Sequence, residues 1–215
     1  MISGNTVYWV SHDIIYTLYR SFLGGTVSGI KNIPRAGPCI MASNHESHLD
    51  PPVVGCSLRR RVTFFARKTL WKPGIPAWWL NMIETIPVDR DGDSDTGAMK
   101  ATLRTLKSGG LLTLFPEGTR SKDGKLQKPK PGIGFIAAKS QAKIVPCRIF
   151  NSHKVLSRDS KLPNLSSKVH VVYGKPLLPE DYDPGRAAGK QRFQQIAEKI
   201  MAEIAKLKKP VQPII

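Results

Sequence analysis

The chain has 215 residues, 40% of them hydrophobic, and its 33 Lys and Arg against 16 Asp and Glu give a net charge of +17. That length suits one α/β domain with a sizeable core, and the hydrophobic content excludes a disordered chain. The charge attracts polyanions: nucleic acid, anionic lipid or phosphate-bearing substrates. Cys39, Cys56 and Cys147 are widely spaced in apolar contexts. They form neither a disulfide framework nor a zinc spacing, so a reducing compartment is expected.

Residues 6–23 place apolar side chains at positions 7, 10, 14, 15, 18, 19 and 22, with Ser11, His12, Asp13 and Arg20 between them. The spacing predicts an amphipathic helix. No window reaches the ~18 uncharged apolar residues that a membrane span needs. The opening residues also lack the pattern of a secretory signal. A Trp- and Tyr-rich helix of this kind suits a membrane interface; the same pattern equally suits a face packed on the core. Gly24 and Gly25 end it, and 30–38 reads as a linker. Residues 1–30 are therefore read as an interface helix and linker, and 31–215 as the α/β domain.

Cys39 to Ala42 reads as a short buried strand that delivers Asn44-His45-Glu46-Ser47-His48-Leu49-Asp50. Asp50 before Pro51-Pro52 reads as a helix N-cap. On one helix, His45 and Asp50 would be splayed by roughly 140°. With His45 in a turn and Asp50 at the cap, the chain can fold back and pair them, which fixes the imidazole tautomer and leaves one nitrogen as a base. Residues 62–66 read as one strand. Residues 70–83 carry three of the four tryptophans with two prolines and a glycine, and Arg59–Arg61, Arg67, Lys68 and Lys72 bracket them. That composition suits core packing or, preferably, a face that dips into lipid.

A short strand follows at 85–88, then a polar loop, a helix over 96–108 ended by Gly109-Gly110, and a buried strand over 111–115. Phe115-Pro116-Glu117-Gly118-Thr119-Arg120 stands at that strand's carboxyl end, where open α/β sheets place ligands. Gly118 permits a tight turn, and Arg120 offers a fork for phosphate. A basic loop over 121–131 leads to a helix at 132–141. Residues 143–150 read as a strand that its proline sends to an edge or bulge, 168–173 as a further strand, and 187–208 as a core-docked amphipathic helix. Strands alternating with helices predict an α/β fold with a mostly parallel central sheet flanked by helices.

Two motifs in this order, His45 with Asp50 and then FPEGTR, resemble the HxxxxD glycerolipid acyltransferases, and within them the lysophosphatidic acid acyltransferases of the PlsC type. Ile86-Pro87-Val88-Asp89-Arg90 and Ile144-Val145-Pro146-Cys147-Arg148-Ile149 match two weaker blocks, and Lys130-Pro131-Gly132 a K-x-G segment. The resemblance spans roughly residues 31–175. It implies transfer of a fatty acyl group from a thioester to the sn-2 hydroxyl of 1-acylglycerol-3-phosphate, giving phosphatidic acid. The same chemistry on another acceptor, or a basic non-catalytic binding protein, is the alternative. His45 would be the base and Asp50 its orienter. Arg90, Glu117, Gly118, Thr119, Arg120 and Lys130 would hold substrate. Ser47 is disfavoured as a nucleophile because no G-x-S-x-G elbow is present. No metal and no cofactor are expected beyond acyl-CoA or acyl carrier protein as thioester co-substrate. The expected partners are lysophosphatidic acid, that donor and an anionic membrane surface, with the protein on the cytoplasmic face of the membrane. Nucleic acid is not expected, because no recognition signature accompanies the charge.

Overall fold

The computed structural model describes residues 3–89, 95–157, 159, 160 and 162–210. The chain begins with helix α1 (Gly4–Leu18), continued by a π-helical turn over Tyr19–Leu23, and strand β1 (Val27–Ser28). Strand β2 (Cys39–Ser43) and helix α2 (Asp50–Cys56) flank the first motif. Strands β3 (Val62–Thr63) and β4 (Phe65–Arg67), helix α3 (Ile75–Met82), strand β5 (Ile86–Val88), helix α4 (Thr96–Lys107) and strand β6 (Leu111–Leu114) lead to the second. Helix α5 (Pro131–Ser140), strand β7 (Lys143–Phe150), helix α6 (Ser152–Val155), strand β8 (His170–Tyr173), helix α7 (Pro179–Tyr182) and helix α8 (Arg192–Lys206) complete the chain.

Six strands form one sheet in the order β1-β8-β7-β2-β6-β3, parallel except for β7 with β8. β4 and β5 pair separately as a parallel ribbon. The segment 62–66 is thus two strands in two sheets rather than one, with Phe64 at the crossing between them. β2 reads as a run without alternation because all five of its residues are buried, its faces being covered on both sides. One face packs Met41, Val145 and Tyr173 beneath Val53 and Val54 of α2 and Tyr19 and Leu23 of the π turn. The other packs Ile40, Leu112 and Ile144 beneath α5 and α8, where Ile196, Ile200 and Ile204 are fully buried. Each such side chain contributes about 1.5–3 kcal/mol on leaving water. α5 and α8 approach closely because Gly134 has no side chain; a Cβ there would lie 1.9 Å from the Phe193 carbonyl oxygen.

Pro146 does not send β7 to an edge: β7 lies inside the sheet, between β2 and β8. The reason is local. β8 leaves β7 after Tyr173, and the chain rejoins it only at Leu177, which exchanges both backbone bonds with Ile144. Pro146 falls in that gap, so its missing N–H removes no ladder bond. Its carbonyl still accepts from Gly174 N–H at 2.7 Å.

Polar contacts pin α1 and its π turn to the body: Tyr8 Oη accepts from Val62 N–H at 2.9 Å, His12 Nε2 meets the Leu58 carbonyl at 2.9 Å, Ser11 Oγ accepts from Trp79 Nε1 at 2.9 Å, and Tyr19 Oη donates to the Val169 carbonyl at 2.9 Å. An apolar stripe on its outer side is left uncovered by the described residues. Val10, Ile14, Leu18 and Phe22, spaced by four, are 54, 56, 50 and 53% exposed. Nearby in the chain's first half, Leu70, Ile75 and Trp78 are exposed as well. Within the segment 70–83, α3 packs Leu80 inward and turns Ile75 outward. No described helix is long and apolar enough to cross a membrane.

Candidate active site

β2 and β6 run parallel in register, Ala42 opposite Leu114, so His45 and the FPEGTR turn leave the sheet side by side at one rim. Asn44 continues the pairing after β2 has ended. Its side-chain oxygen accepts from Ile149 N–H at 2.8 Å and its amide donates to the Ile149 carbonyl at 3.0 Å. The side chain thereby stands in for one more residue of strand.

His45 and Asp50 do pair, Nδ1 to Oδ2 at 2.8 Å, both buried. Asp50 is the first residue of α2, however, and not its N-cap, which is Leu49. With Pro51 and Pro52 next in the chain, the first turn of α2 has few amide protons to offer. The carboxylate turns back instead, and Oδ2 also accepts from Glu46 N–H at 2.6 Å and Ser47 N–H at 2.7 Å. Three donors on one oxygen hold the anion in place, and the carboxylate, which can only accept, fixes the proton on Nδ1. Nε2 is then the nitrogen available to a substrate. The imidazole stacks on the Phe115 ring with centroids 4.0 Å apart. Ser47 is committed elsewhere: its hydroxyl donates to the Leu156 carbonyl at 2.6 Å and accepts from Leu49 N–H at 3.1 Å.

Glu117 lies beneath this turn, 2% exposed. It accepts from His45 N–H at 3.3 Å and from Gln127 Nε2 at 3.0 Å. Burial pushes its carboxyl up to about 7, helped by the negative Glu46 and Asp50 and opposed by those two hydrogen bonds. Ser121 N–H donates to the His45 carbonyl at 2.8 Å, so the second motif grips the first residue of the pair from both of its peptide groups. Gly118 makes the turn between them with φ +69°, and Lys130 packs over it, its Cδ 3.0 Å from where a Cβ would be. The Lys130 amide donates to the Pro116 carbonyl at 2.8 Å. Arg120 contacts His48 through Nη1 and Nε2. Arg90 lies outside the described residues. Cys39, Cys56 and Cys147 are free and buried; burial pushes Cys39 and Cys147 up to about 12, which leaves them inert thiols.

A cavity of about 930 Å³ opens at this rim. His45, His48 and Arg120 contribute to its wall, and the rest is largely apolar, from Tyr8, Ile15 and Phe22 before the sheet to Val53, Phe64 and Leu80. Of the residues named from sequence, His45, Asp50, Glu117, Gly118, Thr119, Arg120 and Lys130 are brought to one end of the sheet. Only His45 and Arg120 among them wall the cavity; Glu117 supports the turn from below. Sequence reasoning passed over Asn44, which precedes His45 directly, and over Phe115, inside the quoted motif. It had no signal for Gln127 or His48. A second cavity, about 740 Å³, lies at the far end of α5 between Lys139, Asp183 and Arg192. Lys130 lies just before the other end of that helix, about 12 Å along its axis from Ala138.

Chemically, a histidine with an oriented tautomer, an open Nε2, an adjacent guanidinium and a large apolar cavity can deprotonate a hydroxyl on an amphiphile that carries an anionic group. The acyltransferase family model matches residues 25–150. A chloroplastic 1-acyl-sn-glycerol-3-phosphate acyltransferase of Brassica napus is 31% identical over 171 residues, which are 79% of this chain and 48% of that one. The 1-acyl-sn-glycerol-3-phosphate acyltransferase of Bacillus subtilis is 27% identical over 192 residues, 87% of this chain and 90% of that one. The chain thus spans about half the length of the plant relatives it matches. The crystal structure of the 1-acyl-sn-glycerophosphate acyltransferase PlsC from Thermotoga maritima shares the fold, with a TM-score of 0.73 over 98% of this chain and 86% of that one at 22% identity. With the family model covering well over half of its residues and the motif pair assembled at one rim, the chain belongs to the acyltransferase family.

Proposed function

We propose that the protein transfers a fatty acyl group from a thioester to the sn-2 hydroxyl of 1-acylglycerol-3-phosphate, giving phosphatidic acid. The observation that carries this reading is the His45–Asp50 pair on the wall of an apolar cavity beside Arg120. His45 Nε2 takes the hydroxyl proton as the oxygen attacks the thioester carbonyl. The C–O bond forms, the tetrahedral intermediate collapses, and the C–S bond breaks. The leaving thiolate recovers the proton from the imidazolium, whose charge Asp50 offsets throughout. A base so held contributes about 10²–10⁴-fold, and holding both substrates against it contributes more. The donor is already activated, so no acyl-enzyme is required. Arg120 takes the acceptor phosphate with its fork, with Lys130 and Arg90 as further cations and Gly118 and Thr119 as amide and hydroxyl donors. The activity for which the plant and bacterial relatives are named, 1-acyl-sn-glycerol-3-phosphate acyltransferase, supports this assignment.

Both substrates are amphiphiles, so the reaction belongs at a membrane surface. The uncovered α1 stripe supports peripheral docking on a membrane, because Leu18 and Phe22 of that stripe also wall the cavity; the cytoplasmic face is the side proposed. An acyl chain leaving the lipid there meets apolar wall before water. Basic residues near an anionic leaflet add about 1 kcal/mol each. The donor is acyl-CoA or acyl carrier protein.

The test is acyl transfer by the purified protein, supplied with labelled 1-acylglycerol-3-phosphate and each donor in mixed micelles, with His45→Ala as control. Labelled phosphatidic acid from the wild type alone is expected. Product only with another lyso-lipid or with glycerol-3-phosphate would move the substrate and keep the mechanism. Equal transfer by the variant would remove His45 as the base.

A further inference from the structure

Glu46 stands between the two residues of the catalytic pair and takes no part in the chemistry above. It is nonetheless buried, 6% exposed, and burial and the neighbouring Asp50 charge raise its carboxyl while His153 opposes them. Oε1 accepts from Asn44 Nδ2 at 2.8 Å, and Oε2 accepts from His153 Nδ1 at 2.9 Å. A buried carboxylate left without such partners costs several kcal/mol, whereas a well-partnered one gains little over an apolar pair. Stability therefore gives a weak reason for this arrangement, and geometry gives a better one.

His153 reaches Glu46 across 107 residues of sequence. It sits in α6, just after β7, and its ring also fills the space above Gly124, where a Cβ would lie 2.4 Å from the imidazole. The loop that contains Gly124 is closed by Asp123, which accepts from Ser121 Oγ at 3.0 Å and Lys125 N–H at 3.1 Å. That loop in turn holds the His45 carbonyl through Ser121. One imidazole thus locks together the segment after β7, the loop after FPEGTR and the His45–Asp50 turn. What Glu46 does for the pair is direct: its amide makes the shortest of the three bonds to Asp50 Oδ2, 2.6 Å against 2.7 and 2.8 Å. With its side chain held at both oxygens, that amide cannot swing away from the carboxylate.

We propose that Glu46 and His153 form a second carboxylate–imidazole pair whose task is to position Asp50, and through it His45, for proton transfer. Both are positioning residues, and neither lines the cavity. The proposal rests on the reading of His45 as the base.

The experiment is steady-state acyl transfer by His153→Ala, His153→Asn and Glu46→Gln in mixed micelles, with thermal midpoints measured alongside and His45→Ala as reference. His153→Ala should lower kcat roughly tenfold, as expected when a base is slightly misplaced, with KM for acceptor and donor within about twofold. His153→Asn, which keeps an N–H donor near the Nδ1 position, should recover most of that loss. Combining Glu46→Gln with His153→Ala should cost no more than the worse single change, because both break one unit. Wild-type kcat in His153→Ala, a loss confined to KM, or a loss that the Asn variant does not recover would overturn the proposal. If His153→Ala does not fold, the near-isosteric Glu46→Gln decides in the same way. Should His45→Ala itself turn over like wild type, the reading of the base fails, and that result differs from every outcome that sinks only the pair.

Discussion

Two regions of this protein invert the usual rule of burial, in opposite senses. At the sheet rim, polar residues are hidden: Asn44, His45, Glu46, Asp50 and Glu117 are each at most 6% exposed. On α1 and its π turn, apolar residues are open: Val10, Ile14, Leu18 and Phe22 are about half exposed. The rim is complete in itself, since nearly every buried polar atom there finds a partner within the chain. Asp50 Oδ1 is a buried exception. The α1 stripe finds no cover among the described residues. The difference teaches that the two inversions have different causes. The first is assembled by folding and forms the candidate site; the second is left open to the surroundings by the described residues.

The sharpest way to break that contrast is at the rim. Asp50→Asn should lower kcat by about a hundredfold or more, because a carboxamide can present either an N–H or a carbonyl to Nδ1 and no longer stabilises the imidazolium. Circular dichroism should show the fold retained, and loss of fold would mean that the network is structural first. On α1, replacing Val10, Ile14, Leu18 and Phe22 with Ser should reduce partition onto anionic vesicles by at least about a hundredfold, given ~1.5–3 kcal/mol for each full burial and half of that still to gain. Flotation checks it, and unchanged partition would mean that another face meets the lipid.

Smaller is the effect of Glu117→Gln. The folded protein holds a proton on Glu117 up to about 7, while the unfolded chain releases it near the ordinary value of 4.5. Stability from this group is therefore full below that ordinary value and is lost as pH rises toward 7. The Gln variant should flatten this decline in denaturant melts taken at pH 5, 6 and 7, and an unaltered slope would assign the decline elsewhere. Smallest of all, Ile14→Ala should change the stability of the protein in lipid-free solution by no more than about 0.5 kcal/mol, against about 2–5 kcal/mol for Ile200→Ala on α8. Equal costs at the two sites would erase the distinction between the helices.

That last pair also shows how far pattern alone reaches. α1 and α8 both read as amphipathic helices, the second as core-docked, and both form; the pattern of α1 suited a core face equally well, and the fold leaves its stripe of Val10, Ile14 and Leu18 open while Val7 and Tyr8 pack inward. The meeting of His45 with Asp50 was legible because five residues and two prolines leave few geometries. The sharing of one rim was legible because both motifs follow buried strands. What stayed hidden comes from distant chain. Glu117 reaches His45 across 72 residues, and Ile149 reaches Asn44 across 105. No local period records such contacts. Pro146 was legible in part: of the two places open to it, an edge or a bulge, the structure has the second, since Cys147 pairs with Tyr173 but Ile144 with Leu177, one residue out of step.

The Asn44 amide, bonded on both sides to Ile149, carries a consequence for protein engineering. Because that side chain measures the position of the motif against the neighbouring strand, the seven residues from Asn44 to Asp50 are not a transplantable unit. A host scaffold would have to offer a parallel neighbour that runs on past the end of the grafted strand, with a backbone N–H and carbonyl facing the amide. Without that ruler the grafted histidine would have the right sequence around it and no fixed place to stand.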